Sequence, residues 1–169
     1  LQGMPIIAEN GTYVVRDGVD ISSSTIDPNL TREVITGVRQ LRNDGHDVGL
    51  VVATKSIAYL ERGDDPFVSH VATYYHSHRI VKDLSEHTDD VIKLSIYDFR
   101  EASEATYPTM QRTAPEHQVI LATPNWVDIM NPGVNKGSAV EAVQRDLGVT
   151  ADQTAIFGDF LNDLEMMPM

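Results

Sequence analysis

Two carboxylates and one amide lie within five residues of each other late in the sequence, at Asp159, Asn162 and Asp163. The apolar run just before them, residues 154–157, predicts a short strand, and Gly158 permits a sharp turn. Ligands of open α/β sheets bind where strands end, and Mg²⁺ prefers oxygen ligands of these types. The stretch is therefore a candidate magnesium site. The structural alternative is that Asn162 or Asp163 only caps the helix that begins there.

A lysine stands at the start of a second pattern, which is typical of an amphipathic helix. Lys136 precedes apolar residues at helical spacing, and the pattern stops at Gly148. A lysine in the first helical turn opposes the helix dipole, so local stability argues against it there. An anion held by the free amides and the ammonium would reverse that balance, and a phosphate sharing its charge with Mg²⁺ suits the position. The alternative is a solvated lysine at a frayed helix start.

Together, the two stretches resemble motifs III and IV of the haloacid dehalogenase phosphatases, specifically the Cof-type branch with a type IIB cap. Residues 132–137 carry the lysine motif and residues 157–163 the acidic motif. The resemblance implies an α/β fold, in which an incomplete, haloacid-dehalogenase-like Rossmannoid core carries an inserted α+β cap domain of type C2B. Residues 1–16 and 132–169 are then core segments, and residues 17–131 form the cap.

The resemblance also implies roles for the residues of the two motifs. Lys136 is the catalytic lysine that stabilises the charge on the transferring phosphoryl group. Asp159 is the direct Mg²⁺ ligand, while Asn162 and Asp163 hold the metal shell or its waters.

Two further residues, Asn10 and Asn135, are the implied substrate-binding side chains. Asn10 begins an Asn-Gly pair between two apolar runs, residues 4–8 and residues 13–16. Such a pair is also the ordinary signal of a tight hairpin turn. The apolar strands on the two flanks of the chain are predicted to belong to a parallel core.

The nucleophile and the acid/base of the family come from an Asp-x-Asp pair, which this sequence does not contain. Two apolar runs that end in Thr54 and Thr123 imitate the Ser/Thr motif of the family, but within the predicted cap they are interpreted as ordinary strand ends. The resemblance thus implies a fragment of a larger phosphatase. We expect the chain alone to bind Mg²⁺ weakly, to lack turnover, and to expose apolar surface that favours self-association.

The middle of the chain has strands in pairs between helices, which predicts a mainly antiparallel sheet in an α+β layer. One helix is predicted to start at Pro28 with Asp27 as its cap, and further helices are predicted over residues 56–62 and 101–112. Residues 91–98 alternate apolar and polar side chains, as a strand does.

Several polar and aromatic residues of the predicted cap are candidates for selecting the substrate. His76 and His78 would share one face of a strand, as a metal pair could, but no third ligand is obvious and surface positions are the simpler interpretation. Trp126 has the structural alternative of packing the cap or its hinge. The full candidate set is Tyr74, His76, Asn125, Trp126 and Asp128.

Composition narrows the class of partner. With 13 basic and 25 acidic residues the net charge is −12, so a nucleic-acid backbone is repelled overall. A small phosphorylated metabolite remains compatible with this net charge, because a local lysine and a metal outweigh the negative charge of the whole chain.

No apolar run approaches the roughly 20 residues of a membrane span. The sequence has 0 cysteines, which excludes disulfides and zinc–thiolate sites and suits a cytoplasmic protein.

The leading hypothesis is a Mg²⁺-dependent phosphomonoesterase that acts on small metabolites such as sugar phosphates. Within the same fold, a phosphomutase or a sugar-specific phosphatase is an alternative. A non-catalytic cap or binding module is the alternative from another class.

Overall fold

The computed structural model describes residues 3–158 and 161–167, except for the side chains of residues 161 and 162. The chain divides into two compact units. Unit 1 contains Leu1–Ser24 and Gly133–Met169, and unit 2 contains Thr25–Pro132. The first boundary lies later than the predicted one after residue 16, because a strand beyond that residue belongs to the sheet of unit 1. The assignment of the units to core and cap remains a prediction.

Unit 1 contains a three-stranded sheet in the order β1-β2-β3, and both strand pairs are antiparallel. The strands are β1 (Pro5–Ala8), β2 (Tyr13–Arg16) and β3 (Val19–Ser23). The prediction of parallel core strands is therefore wrong for β1 and β2. A short turn, Glu9–Gly11, joins them, and a connection of that length reverses the chain, whereas a parallel pair requires a crossover of about a dozen residues or more.

The second half of unit 1 is mainly helical. Helix α4 (Lys136–Leu147) is followed by two short 3₁₀ helices, Ala151–Gln153 and Leu161–Met166. The strand predicted over residues 154–157 is wrong, since residues 154–158 have no regular structure and Phe157 is 91% exposed. A strand requires a neighbour that satisfies its backbone groups, and no strand of the described residues pairs with this stretch.

Unit 2 contains a six-stranded sheet in the order β6-β5-β4-β7-β9-β8. Every pair is antiparallel except β5 with β6, so the predicted antiparallel layer is confirmed. The strands are β4 (Val48–Thr54), β5 (Ala58–Leu60), β6 (His78–Ile80), β7 (Val91–Asp98), β8 (Gln118–Leu121) and β9 (Trp126–Met130). The helix predicted over residues 56–62 is wrong, because Ala58–Leu60 pairs with the end of β4 instead.

Helices cover both faces of this sheet. Helix α1 (Pro28–Asn43) begins after Asp27, whose side chain accepts a hydrogen bond from the Asn29 amide, as predicted. Helix α1 and helix α3 (Thr106–Thr113) line the large apolar core on one face, and helix α3 is shorter than the predicted 101–112 helix. Helix α2 (Asp65–Tyr74) lines a smaller apolar core on the other face. Strand β7 is consequently buried along its whole length.

Candidate active site

The start of helix α4 is the element that positions the candidate lysine. Asn135 is the N-cap, and its side-chain oxygen accepts a hydrogen bond from the Ser138 amide at 2.9 Å. The Ser138 hydroxyl accepts one in return from the Asn135 amide at 3.1 Å, which completes a capping box. The helix ends at Gly148, which has a left-handed backbone. The helix predicted from the sequence is thus confirmed, and its start is not frayed.

Lys136 forms an ion pair with Asp163, through its Nζ atom and the Oδ1 atom of the carboxylate. Asp163 is only 5% exposed, whereas the lysine side chain is partly open to solvent. The pair places a negative charge beside the positive end of the helix dipole, which offsets the unfavourable position of the lysine. The solvated-lysine alternative is therefore wrong. The lysine motif and the acidic motif, which the sequence separates by 27 positions, are in contact.

Three glycines allow close approaches of the segments around Lys136. A Cβ on Gly11 would lie 2.3 Å from the Asn135 carbonyl oxygen, and one on Gly137 would lie 2.3 Å from the Glu165 carbonyl oxygen. A Cβ on Gly158 would lie 2.5 Å from the Cβ of Asp163. Real Cβ atoms do not approach so closely, so these contacts require glycine. They fix the acidic loop and the Asn10-Gly11 turn against the start of helix α4.

Asn10 lies in that turn with a left-handed backbone, at φ 58°. The contact between Gly11 and Asn135 brings the two predicted substrate-binding residues to the same helix start. The Oδ1 atom of Asn135 is engaged in capping, so its amide group is the part of the side chain that remains for a substrate. The roles of both asparagines in binding remain predictions.

The predicted metal ligands lie partly outside the described residues. Asp159 lies outside the described residues, as does the side chain of Asn162. Asp163 contributes a buried carboxylate oxygen, which is the donor type that Mg²⁺ prefers. Among the residues that are described, no group of three or more His, Cys, Asp or Glu side chains could hold a metal ion.

The alternative of a strand-face metal pair of His76 and His78 is wrong, whereas the preferred surface position is confirmed for His76. Only His78 lies in a strand, and its Nδ1 atom is 2.8 Å from the Tyr75 carbonyl oxygen. His76 is exposed in the preceding loop. The two side chains therefore do not form a strand-face pair.

The other substrate-selecting candidates of unit 2 divide into two groups. Asn125 has a structural role, because its amide donates hydrogen bonds to the carbonyl groups of Asp98 and Arg100. Tyr74 is 62% exposed and its ring meets that of Trp126 edge-on, with centroids 5.8 Å apart.

Asp128 is buried, and its neighbours are functional candidates that the sequence reasoning did not name. Its Oδ1 atom accepts a hydrogen bond from the Ser95 hydroxyl at 2.6 Å, and its Oδ2 atom lies 3.6 Å from Lys93 Nζ. The alternation of residues 91–98 was the signal that could have found them, because it placed Lys93 and Ser95 on one face of the strand.

The described helices are all too short or too polar to span a membrane.

In comparison with known proteins, a family model described as haloacid dehalogenase-like hydrolase matches residues 1–169. A relative from Escherichia coli K12, the 5-amino-6-(5-phospho-D-ribitylamino)uracil phosphatase YbjI, is 26% identical over 167 residues, or 95% of this chain and 59% of the relative.

Two solved structures share the fold. A haloacid dehalogenase-like hydrolase from Bacteroides thetaiotaomicron matches with a TM-score of 0.83 at 18% identity, over 98% of this chain and 62% of that one. The subclass IIB sugar phosphatase BT4131 matches with a TM-score of 0.74 at 18% identity, over 96% of this chain and 60% of that one. The chain thus spans about three fifths of the length of these proteins. Because the family model matches its whole length, the chain belongs to the haloacid dehalogenase-like hydrolases, and its mixed α/β fold is the fold of that family.

Proposed function

We propose that this chain carries the phosphate-stabilising part of a Mg²⁺-dependent phosphatase that hydrolyses phosphomonoesters of small metabolites, such as sugar phosphates. The observation that carries the proposal is the ion pair of Lys136 and Asp163 at the capped start of helix α4. Membership of a hydrolase family supports the reaction class. The printed names of the Escherichia coli relative and of the sugar phosphatase support the substrate class.

The start of helix α4 has the properties that bind a phosphate. The amides of Lys136 and Gly137 belong to the first helical turn, where no intrahelical acceptor exists for them. Amides of this kind and the positive end of the helix dipole favour an anion. The ammonium of Lys136 adds a full positive charge that is partly open to solvent. Lys136 then stabilises the charge that develops on the phosphoryl oxygens.

Asp163, together with Asp159 and Asn162, would hold Mg²⁺. Two carboxylates and one amide supply hard oxygen donors, and the buried Asp163 carboxylate fits this requirement. When bound, the metal would neutralise negative charge on the phosphoryl oxygens. Asp163 would orient the ammonium of Lys136 through their ion pair, and the contact of Gly158 with Asp163 would keep the acidic loop in position.

The sequence contains no Asp-x-Asp pair, so the chain lacks the nucleophile and the acid/base that the family uses. We accordingly assign unit 1 to the core of the enzyme and unit 2 to its cap, and we expect no turnover by these residues alone. The absence of cysteine and the substrate class suit the cytoplasm.

Binding of orthophosphate tests the proposal without requiring turnover. Titration of the chain with orthophosphate in the presence of Mg²⁺, followed by NMR, should perturb the amides at the start of helix α4. Lys136→Met should weaken the affinity by about tenfold or more, as expected for loss of a charged hydrogen bond of roughly 1.5–3 kcal/mol. Lys82→Met, at an exposed lysine of unit 2, is the control and should leave the affinity unchanged.

Two results would contradict the proposal. Equal phosphate affinity in Lys136→Met and in the unchanged chain would remove the role of the lysine. Turnover of p-nitrophenyl phosphate by the chain, abolished in Asp159→Ala, would show that no further nucleophile is needed. A binding module without catalysis, which the lack of an Asp-x-Asp pair favours, would bind unphosphorylated metabolites without any effect of Mg²⁺ or Lys136.

A further inference from the structure

One edge of the unit 2 sheet is an apolar strand that has a neighbour on one side only. Strand β8 (Gln118–Leu121) stands last in the order β6-β5-β4-β7-β9-β8, so among the described strands only β9 pairs with it. Its side chains are partly buried or exposed. An edge strand of this kind presents backbone N–H and C=O groups with which another strand can pair.

The hydrogen bonds between β8 and β9 show which residues of β8 direct their backbone groups outwards. The Ala122 amide donates to the Trp126 carbonyl at 2.9 Å, so these two residues form a hydrogen-bonded pair of the antiparallel ladder. Such pairs alternate along the ladder, so the backbone groups of Ile120 also face β9. Those of Val119 and Leu121 therefore point away from β9. Among the described residues, no backbone hydrogen bond reaches Val119 or Leu121 from that outer side.

The other edge strands of the described sheets carry features that discourage pairing with another chain. Strand β6 (His78–Ile80) is only 3 residues long and contains Arg79. Strand β1 begins with Pro5, which has no N–H group. Strand β3 contains Asp20, next to an irregularity in its pairing with β2. Strand β8 has neither a charged residue nor a proline, so its edge is the one open to a further strand.

The order of residues in β8 makes this edge complementary to a second copy of itself. In an antiparallel pair centred on Ile120, Val119 of each copy lies opposite Leu121 of the other copy. These are the residues whose backbone groups face outwards, so each opposite pair can exchange both of its hydrogen bonds. A two-fold axis through the centre repeats the exchange on the other side of Ile120. Both outward-facing residues of β8 are then fully paired.

Side-chain contacts favour the same register. Ile120 would face Ile120 of the second copy across a pair that exchanges no hydrogen bonds, where the Cα atoms lie only about 4.5 Å apart. Apolar cross-strand pairs of this kind stabilise a sheet. On the opposite face, Val119 would contact Leu121 of the second copy, and Leu121 is 38% exposed in the single chain. Although each copy has a net charge of −12, the pairing brings no like charges of β8 together.

We propose that β8 is a dimerisation edge, at which two copies of this chain join their unit 2 sheets into one continuous antiparallel sheet. The contact is isologous, because the same strand lies on both sides of the two-fold axis. It is small for a protein interface, so the dimer should dissociate on dilution. This contact differs from association through the exposed apolar side chains of unit 1, such as Ile6, and it does not depend on the proposed phosphatase function.

Analytical ultracentrifugation of the full chain over a range of concentrations tests for the dimer. The unchanged chain should show a reversible monomer–dimer equilibrium. Leu121→Pro removes an outward N–H that β9 does not use, and proline is tolerated at such edge positions. This variant should raise the dissociation constant by about tenfold or more, the effect of about 1.4 kcal/mol. Leu121→Lys, which puts a charge into the contact without changing the backbone, should also weaken the dimer. Ile6→Lys, on the edge strand β1, is the control and should leave the dimer unchanged.

Hydrogen exchange gives a second readout that needs no substitution. The amides of Gln118 and Ile120 face β9 and should be protected at every concentration. Those of Val119 and Leu121 should exchange fast in dilute solution and become protected as the dimer forms. A chain that stays monomeric at every concentration would overturn the inference, as would exchange at Val119 and Leu121 that does not depend on concentration. A dimer that persists in both Leu121 variants but is lost in Ile6→Lys would place the contact in unit 1 instead.

Discussion

The candidate polar groups of the two units lie on different kinds of structural element. In unit 1 the candidate groups lie on loops and at a helix start, and glycine contacts between backbones hold those loops. In unit 2 they lie on the central strands of a sheet that helices cover on both faces. A small displacement of a loop changes the distances in unit 1, whereas a polar group in unit 2 moves only with the sheet. This difference suits the proposed phosphate site in unit 1, which rests on loops.

The units also differ in the size of their apolar cores. The buried apolar side chains that are described in unit 1 are Val14, Ala139 and Ala142, and all others are in unit 2. Unit 1 instead contains most of the large apolar side chains that are exposed. These are Met4, Ile6, Val19, Leu147, Phe157, Leu164 and Met167. Self-association, which the sequence led us to expect, would act through side chains of this kind. Unit 2 should therefore contribute most of the stability.

The largest expected effect comes from the centre of the unit 2 core. Ile96 is fully buried on β7, so Ile96→Ala removes apolar contacts and leaves a cavity. We expect the free energy of unfolding of unit 2 to fall by about 2–5 kcal/mol. Urea unfolding followed by circular dichroism measures the change.

Ile6→Ala in β1 of unit 1 is the matched control. Ile6 is exposed, so its truncation should cost less than about 1 kcal/mol. Hydrogen exchange should show the same order, with the amides of β4, β7 and β9 better protected than those of β1 to β3. Equal protection in the two sheets would contradict the difference in core size.

A smaller and more local effect on stability is expected at Gly137. Whether the substitution stabilises or destabilises depends on the contact of Gly137 with the backbone of Glu165. Glycine-to-alanine substitution inside a helix ordinarily stabilises by roughly 0.5–1 kcal/mol. At Gly137 the new methyl group would collide with the backbone of Glu165, which must then move away. Gly137→Ala should therefore lower the melting temperature and weaken orthophosphate binding at Lys136, as calorimetry and titration would measure.

Gly37→Ala in helix α1 is the matched helical control. Its methyl group would meet the flexible end of Met110 at 3.3 Å, which can shift. This variant should be neutral or more stable and should bind orthophosphate normally. If Gly137→Ala behaved in the same way, the glycine contact would not be what positions the acidic loop.

Local signals in the sequence were sufficient for helix α4 and for the antiparallel sheet. Asn135 and Gly148 mark the ends of the helix because capping depends on the side chains of a few adjacent residues. The same local reasoning failed where the structure of a segment depends on pairing with residues that are distant in the sequence. Residues 58–60 form a strand because β4 provides a neighbour, and residues 154–157 do not because no described strand does.

The candidate site was predictable to the extent that it rests on motifs. The contact of Lys136 with Asp163 follows from the order and spacing of two motifs that resemble one family. The network around Asp128 carries no motif, because Lys93 and Ser95 come together with Asp128 only through the register of two strands. Register depends on tertiary pairing, so the alternation of residues 91–98 could indicate a polar face but not its partners.

The smallest expected effect concerns a group of hydrogen bonds and ion pairs within unit 2 that is separate from the candidate sites. Asp83 accepts hydrogen bonds from the Ser85 hydroxyl at 2.6 Å and from the Arg39 guanidinium at 2.7 Å. These contacts, with Ser85 the larger influence, lower the pKa of Asp83 to about 2. Arg39 also pairs with Glu61, so one guanidinium connects helix α1 with two later segments of the chain.

Because the pKa of Asp83 is lower in the folded chain than its ordinary value of 3.8, the ionised carboxylate favours the folded state. That contribution is fully present above about pH 4 and is lost as the pH falls towards 2. In Asp83→Asn, the melting temperature should be lower than in the unchanged chain at pH 6, and the difference should shrink at pH 2.5. Asp89→Asn, at an exposed acid without these contacts, serves as the control. A difference between Asp83→Asn and the unchanged chain that stayed constant from pH 6 to pH 2.5 would mean that the charge of Asp83 is not what connects these segments.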